Sequence, residues 1–278
     1  MQDRTWSAAA CVGDSLCVRV QGDELRRRIG QGKPEQMLIE MLAPYLRDDV
    51  VLPVVFAGRD PLRLVPVPAV PPASLTPLPD IDPRIVLLGL DSLAQTRPAD
   101  ILGGEAAQVA GFVAAYPEWD GVLCLTGLSS KWVHISAGEV VSFQSFLTGE
   151  IFAALAAHSL LRKALEGDGW DDAAFAEALS DAMSRPERVA GQLFSLHASE
   201  RLAGHDPATA RARLSGMLTG MEMAAARPYW LGRDVAVIGD GAQYEAALRA
   251  QGVPVEVHDA VALAFRGLEL AYTAQGER

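Results

Sequence analysis

The sequence predicts an α/β protein, and two observations carry that prediction. From Val235 onward a strand-like run, a Gly239-Asp240-Gly241 turn, a helical run through Leu248, a second strand from Val253 to Val257 and a helix from Ala260 repeat the order strand then helix. In mid-chain three strand-like runs follow one another: Gly121 to Leu125, Trp132 to Ser136, and Val140 to Phe146. The turns between them, at 126–131 and Ala137-Gly138, suit successive antiparallel strands. With 278 residues the chain can form one large domain or two medium lobes.

The remaining elements follow in order. Trp6 to Val12 and Leu16 to Val20 flank Gly13-Asp14, which is hairpin turn chemistry. Pro34 opens a helix whose Met37, Leu38, Met41 and Leu42 recur at helical spacing until Pro44. Val50 to Phe56 reads as a buried strand. The proline-rich stretch from Pro61 to Pro83 reads as an extended, irregular connection that no central strand could contain. Arg84 to Leu90 is a strand, a polar loop reaches Asp100, and a helix covers Gly104 to Ala115. Thr148 is placed as N-cap of a helix running to about Leu165, and three more helices begin near Asp171, Pro186 and Pro207. No internal repeat is visible.

Composition narrows the function classes. Twenty-four basic against thirty-five acidic side chains give a net charge of −11, which repels a polyanion and argues against nucleic acid as partner. No apolar stretch reaches the roughly 18 to 20 residues that cross a bilayer, so no membrane is expected. Cys11, Cys17 and Cys124 are an odd count without metal-ligand spacing, and no basic-then-apolar leader opens the chain; a reducing, cytoplasmic setting is expected. A homo-oligomer is left open.

Five segments could carry chemistry. In Leu125 to Trp132, the amides of a tight turn at Thr126 and Gly127, the Ser129 and Ser130 hydroxyls and the Lys131 ammonium could surround phosphate oxygens; an ordinary hairpin turn with a solvated lysine is the plain reading. It is no Walker loop, since the spacing is absent and a strand follows. Gly103-Gly104-Glu105 at a helix start allows a ligand close to the backbone and puts a carboxylate near a substrate hydroxyl, or marks a dipole partner only. Thr148-Gly149-Glu150 carries the same two readings. Gly216 and Gly220 share a helix face, onto which either another helix or a flat ring such as adenine packs. Gly239-Asp240-Gly241 lies at a strand-to-helix junction of the kind that binds a nucleoside or phosphates. The five histidines, at 134, 158, 197, 205 and 258, show no metal-ligand pairing, no Gly-x-Ser-x-Gly elbow exists, and no residue is assigned to a metal.

Taken in order, these segments resemble the 2-keto-3-deoxygalactonokinase (2-dehydro-3-deoxygalactonokinase) family. Gly104-Glu105 with Gln108 resembles the family's Arg-Gly-Glu-Glu-Thr-Gln segment, and Thr126 to Val133 resembles its Pro-Gly-Thr-His-Ser-Lys-Trp-Val segment. Ser142 to Phe152 is similar to the stretch ending in Thr-Gly-Glu. Leu193-Phe194-Ser195, Leu214-Ser215-Gly216 and Ile238-Gly239-Asp240 resemble later landmarks.

The resemblance implies a two-lobed actin-like ATPase (hexokinase-type) fold with a cleft between lobes. The N-terminal lobe would be residues 1–103, and residues 104–278 a C-terminal lobe with the nucleotide-binding half. It implies a kinase that moves the ATP γ-phosphate, with Mg²⁺, onto the sugar acid 2-keto-3-deoxygalactonate. In that reading Glu105 and Lys131 are catalytic, and Thr126, Gly127, Ser129 and Ser130 hold phosphate. Arg59, Gly104, Thr148, Gly149 and Glu150 take the sugar acid, and Gly216, Gly220, Gly239, Asp240 and Gly241 the nucleoside.

The chain departs from the family at its start. With Trp6 in register, the Asp-Trp-Gly-Thr-Thr phosphate loop becomes Ala10-Cys11-Val12-Gly13-Asp14, a following arginine becomes Cys17, and a Gly-Met-Val-Gly-Ser-Arg loop is represented by Val55 to Arg59. The competing reading is therefore a catalytically impaired homologue that binds sugar acid or nucleotide as an interaction protein.

Overall fold

The computed structural model describes residues 6–58, 60, 62–204 and 206–276. Arg59 and the histidine at position 205 lie outside the described residues.

The chain opens with the expected hairpin, β1 (Ser7–Val12) and β2 (Ser15–Val20), turned through Gly13 at a φ of +58°, which a side chain rarely adopts. β3 (Asp23–Arg28) follows antiparallel to β2. The sequence analysis misses it because Asp-Glu-Leu-Arg-Arg-Arg has no apolar alternation, and an edge strand needs none. α1 (Pro34–Leu42) buries Met37, Leu38, Met41 and Leu42, as predicted.

β4 (Leu52–Ala57) is buried. The proline-rich connection contributes only β5 (Leu64–Pro66) and β6 (Leu75–Pro77), both at sheet edges where a missing amide costs nothing. After β7 (Ile85–Leu90) the expected polar loop is instead a hairpin of β8 (Ser92–Thr96) and β9 (Ala99–Leu102), whose polar residues pair in a small three-stranded sheet with β5.

α2 (Ala106–Ala115) leads to the meander β10 (Gly121–Leu125), β11 (Ser130–Ser136) and β12 (Glu139–Phe146). β11 begins two residues before the predicted strand, so Ser130 and Lys131 belong to the ladder and not to the turn. α3 (Thr148–His158) stops short of Leu165: the Ser159 hydroxyl donates to Leu155 O and accepts from the Leu161 amide, closing the helix. Thr148 is its first helical residue and caps nothing.

α4 (Asp172–Ser184), α5 (Val189–Ala203), α6 (Pro207–Ala225) and the short α7 (Arg227–Trp230) then form a helical layer. β13 (Val235–Ile238), α8 (Ala242–Ala250), β14 (Val255–His258) and α9 (Ala260–Gly276) complete the chain. Among the described residues no helix is long and apolar enough to cross a membrane.

The two large sheets share one plan. In the first, ordered β3-β2-β1-β4-β7-β6, an antiparallel meander is extended beside β1 by the parallel strands β4 and β7, with β6 added antiparallel at the edge; in the second, ordered β12-β11-β10-β13-β14, a meander is likewise extended by parallel strands beside β10. Between the sheets lie α2 and α9, packed on Ala8, Ala10 and Val55 on one side and on Leu123, Val133 and Ala236 on the other. α1 covers the outer face of the first sheet, and α4, α6 and α8 the outer face of the second. α9 is further tied to the first sheet by Trp6, stacked on Tyr272 at 4.5 Å, and by Arg19 over the Phe265 ring at 4.4 Å.

Asp171 caps α4 by accepting from the Ala174 amide, and it also accepts from the Thr209 hydroxyl, joining α4 to α6. Those bonds, the amide foremost, hold its carboxyl below the ordinary range. A depressed folded value means that the contribution is present above the unfolded value of about 3.9 and is lost as pH falls through the folded one. Asp171→Ala is expected to lower the melting temperature by about 3 °C at pH 7, with a smaller difference near pH 3, as read by thermal scans at both values.

Candidate active site

Three turns converge on a cavity of about 510 Å³. Gly13 and Asp14 come from the β1–β2 turn, Thr126, Gly127 and Leu128 from the β10–β11 turn, and Asp240 from the junction of β13 with α8. The turns of the two sheets meet here: a Cβ built on Gly127 would lie 3.8 Å from Gly13 Cα. The rest of the wall is the start of α3 (Thr148, Gly149, Phe152), the connection Asp168–Trp170, the α6 face of Arg211, Ser215, Leu218 and Thr219, and Gln243 and Tyr244 of α8.

Glycines permit the close approaches that hold these segments together. Gly149 lies where a Cβ would be 2.5 Å from Gly127 O, and the Glu150 amide donates to Leu128 O at 2.8 Å, so α3 starts directly on the turn. Thr126 donates both its amide and its hydroxyl to Ile238 O, at 3.0 Å each, tying the turn to β13. Gly239 and Gly241 leave room for that threonine, with built Cβ atoms 2.9 Å from Thr126 Oγ1 and 2.7 Å from Thr126 Cγ2. Of the Gly239-Asp240-Gly241 turn only Asp240 lines the cavity.

Asp14 is fixed at the rim. Arg28 Nε donates to its Oδ2 at 2.5 Å and the Ser15 hydroxyl to its Oδ1 at 3.1 Å. Burial works to raise its proton affinity, but the Ser15 and Arg28 bonds outweigh it and hold the carboxyl below its ordinary range.

Strand alternation separates residues that the sequence analysis groups together. Ser130 and Trp132 point toward α6, where Ser130 is fully buried, and both donate to Glu222. Lys131 points to the opposite face and is 7% exposed. Its ammonium donates to Ser145 Oγ at 3.0 Å and Ile101 O at 3.3 Å, and stands 4.0 Å from Glu105 Oε1. Ser145 is in turn bound to Asp100 through its amide and its hydroxyl. Two of the ammonium's hydrogens are thus bound by protein oxygens, and its charge is paired with Glu105. The expectation that Lys131 and Ser130 surround one phosphate together is corrected: adjacent strand residues face opposite sides. Ser129 is half-buried and does not line the cavity.

Glu105 sits just before α2, partly exposed beside Lys131. Gly104 lies against Gly58 O and Ala57 O, so this acidic and basic pair stands beside the end of β4 in the first sheet. Gly216 and Gly220 do not face the cavity. Built Cβ atoms there would stand 2.5 Å from Phe175 O and 2.6 Å from Leu179 O, so they serve the close packing of α6 on α4, and the expected nucleoside contact is corrected. Glu150 is exposed and off the cavity wall.

Sequence reasoning missed the α6 wall and the residue behind it. Glu222, 2% exposed, accepts from Ser130 Oγ (2.6 Å), Trp132 Nε1 (2.8 Å), Tyr244 Oη (2.8 Å) and Thr148 Oγ1. Burial first, and the Glu222 charge second, push the Cys124 thiol and the Tyr244 hydroxyl well above their ordinary values. The signal was present: Arg211, Ser215, Thr219 and Glu222 form a polar stripe at helical spacing in an otherwise small and apolar helix.

A family model described as 2-keto-3-deoxy-galactonokinase matches residues 6–271. A Rhizobium meliloti (strain 1021) protein named as a probable 2-dehydro-3-deoxygalactonokinase is 35% identical over 72% of this chain and 67% of its own length. The Escherichia coli (strain K12) 2-dehydro-3-deoxygalactonokinase is 28% identical over 56% of this chain and 54% of its own length. Among solved structures, a Sinorhizobium meliloti protein described as a candidate 2-dehydro-3-deoxygalactonokinase superposes with a TM-score of 0.82 at 30% identity, covering 97% of this chain and 99% of that one. Component A of the Acidaminococcus fermentans (R)-2-hydroxyglutaryl-CoA dehydratase superposes with a TM-score of 0.53 at 13% identity, covering 97% and 98%, and shares the fold alone.

Proposed function

The chain belongs to the 2-keto-3-deoxy-galactonokinase family and has the actin-like ATPase fold, and from that premise we propose how its residues divide the work of a sugar-acid kinase. The observation that carries the reading is the meeting of turns from both sheets on one cavity, between Gly13 and Gly127. The lobes are taken as residues 1–103 and 104–278, with α9 in the layer they share.

The nucleotide occupies the cavity. The backbone of the turn at Gly127 faces the phosphates, while Thr148, Asp240, Ser215 and Gln243 line the nucleoside end. Thr148 and Gly149 belong to this cavity and not to a separate sugar-acid site. Among the described residues no three His, Cys, Asp or Glu side chains stand together as a metal site, so Mg²⁺ is not held by the protein alone; Asp14, Asp168 and Asp240 are hard oxygen donors on the wall, the type Mg²⁺ takes singly while keeping waters and phosphate oxygens. Bound there, it would supply charge neutralisation on the phosphates.

The sugar acid, 2-keto-3-deoxygalactonate, lies on the other side of β11, between Gly104-Glu105 and the segment carrying Gly58 and Arg59. Glu105 accepts the proton of the attacking hydroxyl. The hydroxyl oxygen forms a bond to the γ-phosphorus, the bond from that phosphorus to the bridging oxygen breaks, and ADP leaves with the phosphorylated sugar acid. Lys131, bound to Ile101 and Ser145 and paired in charge with Glu105, fixes the Glu105 carboxylate and leaves phosphate to the turn at Gly127.

The test is ADP release with Mg-ATP and 2-keto-3-deoxygalactonate beside a panel of other sugar acids. Turnover highest on the named acid is the expected result. Turnover confined to another acid overturns the substrate. No turnover on any of them, with ADP or sugar acid still raising the melting temperature, overturns the kinase in favour of a binding protein.

A further inference from the structure

Resting on the reading that the cavity holds the nucleotide, we infer that Glu222 is a positioning residue that sets the polarity of the Thr148–Tyr244 wall. That wall accepts hydrogen bonds and therefore receives the donor groups of the nucleoside, its ribose hydroxyls, and not the phosphates.

A buried carboxylate is tolerated only when its oxygens are filled by donors. Glu222 has four neutral ones, two to each oxygen: Ser130 Oγ and Trp132 Nε1 on Oε1, Thr148 Oγ1 and Tyr244 Oη on Oε2. They come from β11, α3 and α8, while Glu222 itself is on α6, so one side chain joins four segments around the cavity. Ser130 and Trp132 are turned away from the cavity, whereas Thr148 and Tyr244 line it.

A hydroxyl has one proton. Thr148 and Tyr244 both direct theirs backward to Glu222, so each has only lone pairs to offer a ligand. Lone pairs repel phosphate oxygens and attract O–H donors. Glu222 accepts from all four of its partners, so while it remains the two hydroxyl protons stay turned away from the cavity.

Glu222→Gln reverses it with little change of shape. The Trp132 indole can only donate, so the amide oxygen must face Trp132 and Ser130, and the amide nitrogen faces Thr148 and Tyr244. Both hydroxyls then accept from behind and turn their protons toward the cavity. A role in packing alone would lower the melting temperature and leave ligand preference as it was.

The experiment is calorimetric binding of ADP, 2′-deoxy-ADP, 3′-deoxy-ADP and inorganic tripolyphosphate to the wild-type protein and to Glu222→Gln. The wild type is expected to bind at least one deoxy analogue about tenfold more weakly than ADP. Glu222→Gln is expected to bind ADP about tenfold more weakly and to lose that discrimination, with tripolyphosphate unchanged in both proteins. Should that variant not fold, Thr148→Val and Tyr244→Phe carry the same expectation, since each removes one accepting hydroxyl. Tripolyphosphate weakened as much as ADP, or discrimination that survives the substitutions, overturns the role of Glu222. A wild-type protein that binds neither ADP nor tripolyphosphate overturns the assignment of the cavity and this inference with it, whereas wild-type binding of ADP without discrimination overturns the inference alone.

Discussion

Replacing Gly267 with valine is expected to lower the stability of the protein by about 3 kcal/mol, seen as a large fall in its urea midpoint. At the crossing of α9 on α2 a Cβ on Gly267 would stand on Ala107 O, and one on Gly111 would stand on Leu263 O. Both obstacles are backbone carbonyls, which no rotamer change can move. The helices would have to separate, and they cannot do so freely because they fill the layer between two sheets. Overpacking of this kind costs about 3 kcal/mol or more, a large part of the roughly 5 to 15 kcal/mol that holds a domain together. Gly111→Val is expected to act similarly. The pair together should cost less than the sum, because one separation relieves both clashes. Urea unfolding followed by circular dichroism measures this, and a wild-type midpoint for Gly267→Val would show that the crossing is looser than its geometry.

Glu105→Gln lowers kcat by about 10² to 10⁴, the range assigned to a lost general base. The amide preserves shape and can still hydrogen-bond a hydroxyl, but it cannot hold the proton that leaves. KM for ATP should stay within about twofold, because Glu105 is not among the residues lining the cavity proposed for the nucleotide. Lys131→Met should reduce kcat less, since it removes the partner of the base and not the base. Steady-state rates with each substrate varied in turn distinguish these outcomes. A kcat for Glu105→Gln within about threefold of wild type would remove Glu105 from the chemistry.

Most of the fold is readable from the sequence where burial is one-sided. Met37, Leu38, Met41 and Leu42 mark α1, and the caps Asp171 and Asp206 mark the starts of α4 and α6 within a residue. What escapes is built at edges or from polar residues. β3 needs only backbone pairing on one side, and β8 with β9 pairs residues such as Gln95 and Asp100 that also read as loop. The repeated sheet plan is invisible because it is a repetition of connections and not of side chains.

At the site, motif order groups residues that the structure separates. A run such as Ser129-Ser130-Lys131 is contiguous in the chain, but a strand sends its second and third residues to opposite faces. Gly216 and Gly220 carry the same ambiguity. Small residues four apart prepare a flat surface without saying whether α4 or a ring will lie on it, and here it is α4. Glu222 is hidden for another reason, since its partners stand far away in the sequence.

The place of α9 bears on how the chain comes off the ribosome. The helix that shields the strands carrying Ala8, Ala10 and Val55 begins only at Ala260, so it is made long after them. Throughout that interval the nascent first sheet shows a greasy, half-dressed surface, the kind a chaperone binds, and the docking of α9 closes it.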